Sequence, residues 1–157
     1  MLQPGIFAPD FTLHATLGEP FTLSKNQGRR LVLAFYPADW SPVCSDQLVL
    51  YNELLDYFSN QNATLVGISV DGKWCHKAFS NQRGIDFLLL SDFEPKGIVS
   101  RTYEVYNENS GESMRALFVI DEKGIIRWSY LSPIGMNPGA DGILQALADM
   151  NQISQNY

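Results

Sequence analysis

The chain has 157 residues, 45% of them hydrophobic and 12% aromatic, and a formal net charge of -6. That length and composition suit one compact domain over residues 1–157, folding without staples, and the acidic balance excludes a nucleic-acid binder that works by neutralising phosphates. The longest apolar run, Leu31 to Pro37, is far short of the roughly 18 residues of a membrane span, and the start of the chain does not read as a secretory leader, so a cytoplasmic protein with no membrane partner is expected.

Taken in chain order, Phe11-Thr12-Leu13 and Phe21-Thr22-Leu23 predict a small N-terminal hairpin. Residues 31–36 form a short apolar run ended by Pro37, the mark of a buried central strand. Ser41-Pro42 has the residue types of an N-cap and a first helical position. Leu48, Tyr51, Leu54, Leu55 and Phe58 then give one apolar helical face, down to Asn60-Gln61-Asn62. Residues 64–70 predict a second buried strand, and residues 73–82 a helix stopped by Gly84. A third strand is expected at 87–90 and a short helix at 95–103, with Ile98 and Val99 turned inward. Residues 116–120 and 125–130 flank Asp121-Glu122-Lys123-Gly124, an antiparallel hairpin signal. A last helix at 141–150 carries Ile143, Leu144 and Leu147. That order is the order of an α/β thioredoxin-like fold: a central mixed β-sheet flanked by helices, with an N-terminal β-hairpin.

Chemistry concentrates at Pro37-Ala38-Asp39-Trp40-Ser41-Pro42-Val43-Cys44, where the central strand gives way to a helix. With Ser41 as N-cap, Cys44 is N3, the position a glutamate holds in a capping box. Unpaired N–H groups and the positive end of the helix dipole there favour thiolate over thiol. A free thiol, with its reference pKa near ~8.5, is mostly protonated at neutral pH, so this stabilisation is what makes a nucleophile. Ser41 can donate its hydroxyl to the sulfur or to a bound oxygen. Pro37 and Pro42 can shield the sulfur, and Trp40 can wall off solvent. Charge developing on a departing oxygen calls for a fixed cation, and Arg115 is the candidate. Read alone, Arg115 is equally well a surface charge at a strand edge.

Blander readings stand beside these. Cys44 could be a buried structural thiol, since free cysteine is among the most buried residue types; its cap position and flanking prolines weigh against that. Cys75 opens the second predicted helix with His76 beside it. Zinc needs about four ligands, and the chain has two cysteines and two histidines, scattered, so no metal and no cofactor is expected. The absence of a CxxC pair counts against a thiol–disulfide oxidoreductase. Arg101 reads as a solvated helix face, and Tyr103 and Tyr106 as core contacts.

These residues resemble a known family. Pro37, Ser41 and Cys44 match the Pro-x-x-x-Thr/Ser-x-x-Cys signature of the peroxiredoxins, the AhpC/TSA group. Met114-Arg115-Ala116-Leu117-Phe118-Val119-Ile120-Asp121 is similar to the family's Arg-x-x-Phe-x-Ile-Asp segment. Ala8-Pro9-Asp10-Phe11-Thr12-Leu13 resembles its opening, and Leu90-Ser91-Asp92 its mid-chain strand end. The four matches run in order over nearly the whole chain. The resemblance implies a thiol-dependent peroxidase of the one-cysteine or AhpE/BCP-like kind, acting on hydrogen peroxide and organic hydroperoxides. Cys44 would be the peroxidatic cysteine, passing through a sulfenic acid, with Pro37, Ser41 and Arg115 positioning the peroxide. A thiol reductant would recycle it: thioredoxin, a glutaredoxin-like protein or a low-molecular-weight thiol. A homodimer or higher oligomer is implied.

Two departures qualify the likeness. Many members carry a glutamate three residues after the peroxidatic cysteine, and here Gln47 stands there, able to accept from Arg115 without bringing charge. No C-terminal cysteine is present to resolve the sulfenic acid; Cys75 resembles a position near a subunit interface in certain two-cysteine relatives and is a candidate for resolution or an intersubunit disulfide. The alternative to an enzyme is a peroxide-sensing or holdase-type protein of the same fold that uses Cys44 oxidation as a signal.

Overall fold

The computed structural model describes residues 1–16, 18 and 20–155. A hairpin of β1 (Thr12–Ala15) and β2 (Phe21–Thr22) precedes β3 (Arg30–Phe35), α1 (Pro42–Glu53) and α2 (Leu55–Asn60). Then come β4 (Ala63–Ser69), α3 (Lys73–Arg83), β5 (Leu88–Ser91), α4 (Ile98–Thr102), and a two-strand ribbon of β6 (Tyr106–Asn107) and β7 (Glu112–Ser113). The chain closes with β8 (Ala116–Ile120), β9 (Ile126–Leu131) and α5 (Asp141–Gln155). Seven strands form one sheet in the order β2-β1-β5-β4-β3-β8-β9. The sheet is mixed: β3, β4 and β5 are parallel, while β8, β9, β1 and β2 each pair antiparallel with their neighbours.

β3 lies at the heart of the molecule. Val32, Ala34 and Tyr36 face one core with Cys44, Leu48, Tyr51, Phe79 and Leu147. Leu33 and Phe35 face a second core, with Phe11, Tyr103 and Phe118. Burial on both faces explains why this segment is continuously apolar rather than alternating. The ring of Tyr36 is accommodated by Gly67 on β4, where an added Cβ would lie 3.2 Å from it and 2.8 Å from Leu89.

Several boundaries differ from the sequence expectation for identifiable reasons. The helix predicted to run on to Asn60 breaks at Leu54, which has φ -102° and ψ 6° and whose amide reaches back to Tyr51 and Asn52. β2 ends at Thr22 because Leu23 opens a 3₁₀ turn, Leu23–Asn26. The helix expected from 95 to 103 contracts to Ile98–Thr102, since Gly97 before it takes a left-handed φ of 70°. Its first amides are held by the buried carboxylate of Asp92, from Val99 at 3.1 Å and Ser100 at 2.8 Å. Val99 is buried as expected, but Ile98 is 48% exposed. Tyr103 is a core residue, whereas Tyr106 is half-buried under the guanidinium of Arg101. The ribbon of β6 and β7 was not legible, being two polar residues a side. No helix among the described residues is long and apolar enough to cross a membrane.

Candidate active site

Beyond β3 the chain keeps one more sheet bond, from the Tyr36 amide to the Ile68 carbonyl at 3.0 Å, then turns through buried Pro37 into a loop. Trp40 takes a left-handed φ of 71°, a conformation unusual for a bulky residue and held only where neighbours over-determine it. Ser41 follows with φ -60° and ψ 135°, the N-cap of α1, and Pro42 is its first helical residue. The cap position is as predicted, and Cys44 is therefore N3. The hydroxyl of Ser41 makes no cap hydrogen bond. Its carbonyl instead opens the helical ladder, accepting from the Ser45 amide at 2.8 Å.

Cys44 is 0% exposed and Arg115 1%. The Nη1 of Arg115 stands 3.3 Å from the sulfur and donates to Gln47 Oε1 at 2.7 Å. Its Nε and Nη2 both donate to the Ile134 carbonyl, at 3.2 and 2.9 Å. Of the five N–H bonds a guanidinium carries, these contacts occupy four, and one on Nη2 has no partner among the described residues. Every oxygen that holds Arg115 is neutral, so the group with which this buried cation can share charge is the sulfur of Cys44.

Gln47 is oriented in turn. Its Nε2 donates to the Tyr51 hydroxyl at 3.2 Å, and that hydroxyl donates to the Gly139 carbonyl at 2.8 Å. Burial pushes the Tyr51 phenol up to about 12, against the opposing pull of Gln47 and Arg115. Tyr51 thus remains a donor and fixes which end of the amide faces the guanidinium. Tyr51 and the 134–139 segment were missed by sequence reasoning. The i, i+4 spacing of Gln47 and Tyr51 on one helix was the available signal for the first; the second contributes only backbone carbonyls, which no residue type announces.

The remaining candidates lie on another side of the loop. Trp40 packs edge-to-face on Phe79 of α3 at 5.3 Å, with the Arg83 guanidinium 6.0 Å from its ring. Cys75, at the start of α3, is half-buried, with its sulfur 4.0 Å from Asp71 Oδ1. Burial, together with the charges of Asp39 and Asp71, pushes its thiol up to about 11. Cys44 and Cys75 are both free. Donor atoms of Asp39, Asp71 and Cys75 fall within 4.8 Å of one another, as in a metal cluster. Both oxygens of Asp39 already accept, from Tyr36 and His76, and Asp71 Oδ2 accepts from the Asp39 amide and the Ser69 hydroxyl. Cys75 borders a cleft of about 450 Å³ that Trp74 and Phe93 also line; Trp74 is 71% exposed.

The AhpC/TSA family matches residues 4–129. Alkyl hydroperoxide reductase E of Mycobacterium tuberculosis is 38% identical over 136 residues, covering 86% of this chain and 89% of that protein. Peroxiredoxin-1 of Gallus gallus is 34% identical over 149 residues, covering 88% of this chain and 74% of that one. The reduced 2-Cys peroxiredoxin of Plasmodium vivax superposes with a TM-score of 0.89 at 29% identity, over 97% of this chain and 83% of that one.

Proposed function

This chain belongs to the AhpC/TSA family, the peroxiredoxins, and we propose that Cys44 is its peroxidatic cysteine, with Pro37, Ser41 and Arg115 holding the peroxide. It is a thiol peroxidase of thioredoxin-like fold. The contact of 3.3 Å between Arg115 and the Cys44 sulfur carries the assignment of roles. The sulfur, as thiolate, attacks the terminal oxygen of a hydroperoxide. An S–O bond forms as the O–O bond breaks, and the departing oxygen takes a proton and leaves as water or an alcohol. Negative charge moves from sulfur to the departing oxygen, so a cation fixed beside both stabilises the transition state more than the ground state. The open N–H on Nη2 of Arg115 and the hydroxyl of Ser41, uncommitted to capping its helix, are the donors free to meet the two peroxide oxygens.

An external thiol then attacks the sulfenic acid, releasing water and leaving a mixed disulfide that a second thiol reduces. Thioredoxin, a glutaredoxin-like protein or a low-molecular-weight thiol fits that role. For Cys75, burial and then the charges of Asp39 and Asp71 raise the thiol to about 11, which weighs against it as the resolving thiol. We place the enzyme in the cytoplasm as a homodimer or higher oligomer, its catalytic domain spanning residues 1–157. Both thiols are free, and the aromatic surface at Trp74 and Phe93 fits burial between subunits.

Intact mass after one equivalent of hydrogen peroxide tests the reading. The protein is expected to gain one oxygen, and Cys44→Ser to gain none and to consume no peroxide. Peroxide consumption at the full rate by Cys44→Ser would sink it.

A further inference from the structure

Behind the catalytic loop lies a second buried arrangement of charge that none of the contacts to Cys44 uses. His76 of α3 and Asp39 of the loop have no exposed side-chain surface, and His76 Nδ1 lies 2.7 Å from Asp39 Oδ2. His76 Nε2 lies 3.1 Å from the Leu90 carbonyl at the end of β5. Asp39 Oδ1 accepts from the Tyr36 hydroxyl at 2.6 Å, and the Asp39 amide donates to Asp71 Oδ2 at 2.8 Å. Both ring nitrogens of His76 therefore face oxygens. Each contact therefore holds one proton, the first shared between Nδ1 and the Asp39 carboxyl and the second donated by Nε2 to the Leu90 carbonyl.

We propose that His76 and Asp39 form a positioning pair that sets the geometry of the peroxide-holding loop, an inference that rests on the reading of Cys44 given above. Asp39 is two residues from Pro37 and two from Ser41, and next to the left-handed Trp40. Such a backbone persists only where its surroundings leave it no alternative. The carboxylate of Asp39 ties the middle of the loop to α3 through His76 and to β3 through Tyr36, and its amide ties the loop to the end of β4. Three elements thereby fix one residue, and the residues on either side are those assigned to the peroxide. Without His76 the carboxyl of Asp39 would be left in the interior with the Tyr36 hydroxyl and the Cys75 thiol as side-chain donors, and it would turn towards water, carrying Pro37 and Ser41 with it. The sulfur and its guanidinium belong to α1 and β8 and would stay where they are.

That separation makes the pair testable. Oxidation of Cys44 by hydrogen peroxide needs the loop to hold the oxygens, whereas alkylation of the buried sulfur by iodoacetamide needs access alone. The oxidation rate itself must therefore fall on loss of the pair, while alkylation holds or rises. The ratio of the two rate constants is measured on reduced protein, by stopped-flow fluorescence for oxidation and by mass for alkylation. In His76→Ala the ratio is expected to fall about tenfold or more, since an ångström of misplacement can cost about a hundredfold in rate. Asp39→Asn with His76 in place, whose amide can still accept from Tyr36 and donate to a neutral His76, keeps the tie and is expected to stay near the parent ratio. If His76→Ala does not fold, Asp39→Asn/His76→Ala removes the stranded charge but still cuts the tie between loop and α3, and loss of that tie is expected to lower the ratio in the same direction. A ratio within about threefold of the parent in a folded variant lacking His76 overturns the proposal, as does a parallel loss of both rates, which would make the pair merely structural. Failure of the underlying reading looks different: the parent protein itself would then be oxidised no faster than Cys44→Ser.

Discussion

Cys44 has no exposed surface and a guanidinium 3.3 Å from its sulfur; Cys75 is partly open to solvent and faces Asp71 at 4.0 Å, with Asp39 close by. Both open a helix on the same side of one sheet, Cys44 as the third residue of α1 and Cys75 as the third of α3. Helix position alone would have favoured thiolate at either. Cys75 is raised first by burial and then by Asp39 and Asp71, from the turns after β3 and β4, whereas Cys44 has beside it the guanidinium of Arg115, the residue before β8. On the proposed reading of Cys44 as the peroxidatic residue, the more accessible thiol is the less nucleophilic one.

The largest effect should come from removing the cation. Arg115→Ala is expected to slow the second-order reaction with hydrogen peroxide by about 10²–10³-fold, the cost of losing a fixed donor to a developing oxyanion; stopped-flow fluorescence reads it, and a loss under about threefold would break the contrast between the sites. Next in size is the acidic side. In a Cys44→Ser background, Cys75 is expected to reach half its maximal alkylation rate near the pH of about 11 to which its thiol is raised. Asp71→Asn should lift alkylation at pH 7 by about tenfold, since it removes a like charge beside the sulfur; an unchanged pH–rate curve would show that burial alone holds the thiol up.

The smallest effect concerns Asp121, which sharpens the same lesson with the opposite outcome. Burial would raise its carboxyl, but the amides of Ile125 and Lys123 and the guanidinium of Arg127 outweigh burial and hold it below the usual range. A carboxyl lower in the folded than in the unfolded chain contributes stability above the unfolded value near ~3.9, and that contribution fades as the pH falls further. Asp121→Asn is therefore expected to cost about 1–2 kcal/mol at pH 7, with the gap to the parent closing below about pH 4 in urea denaturation series.

Much of this was legible in the sequence, and the reasons are local. β3 announced itself because both of its faces are buried, and α1 because Ser41-Pro42 is a start signal whatever the tertiary context. Cys44 as N3 followed from those two. Arg115 was harder: what brings it to Cys44 is a contact between the residue before β8 and α1, and only the resemblance chose it over a surface charge. Gln47 was read correctly as an uncharged acceptor because its spacing from Cys44 is fixed by the helix. Asp39 and His76 escaped notice because their pairing joins a loop to a helix 37 residues away. His76 was noted beside Cys75 and set aside as a metal ligand for want of partners, and its ring lies in the interior. Ile98 was misjudged because Gly97 resets the start of α4, which turns the apolar face by one residue.

One consequence of the sealed sulfur and guanidinium concerns dissolved salt. Ions in the surrounding medium weaken charges that they can approach, such as the surface pair of Arg101 and Glu108, and scarcely touch a pair enclosed by protein. On the proposed role of Cys44, its attraction to Arg115 should therefore depend only weakly on salt. In a cell whose osmotic load fluctuates, the first encounter with peroxide would keep its pace while the contacts holding the molecule's exterior come and go.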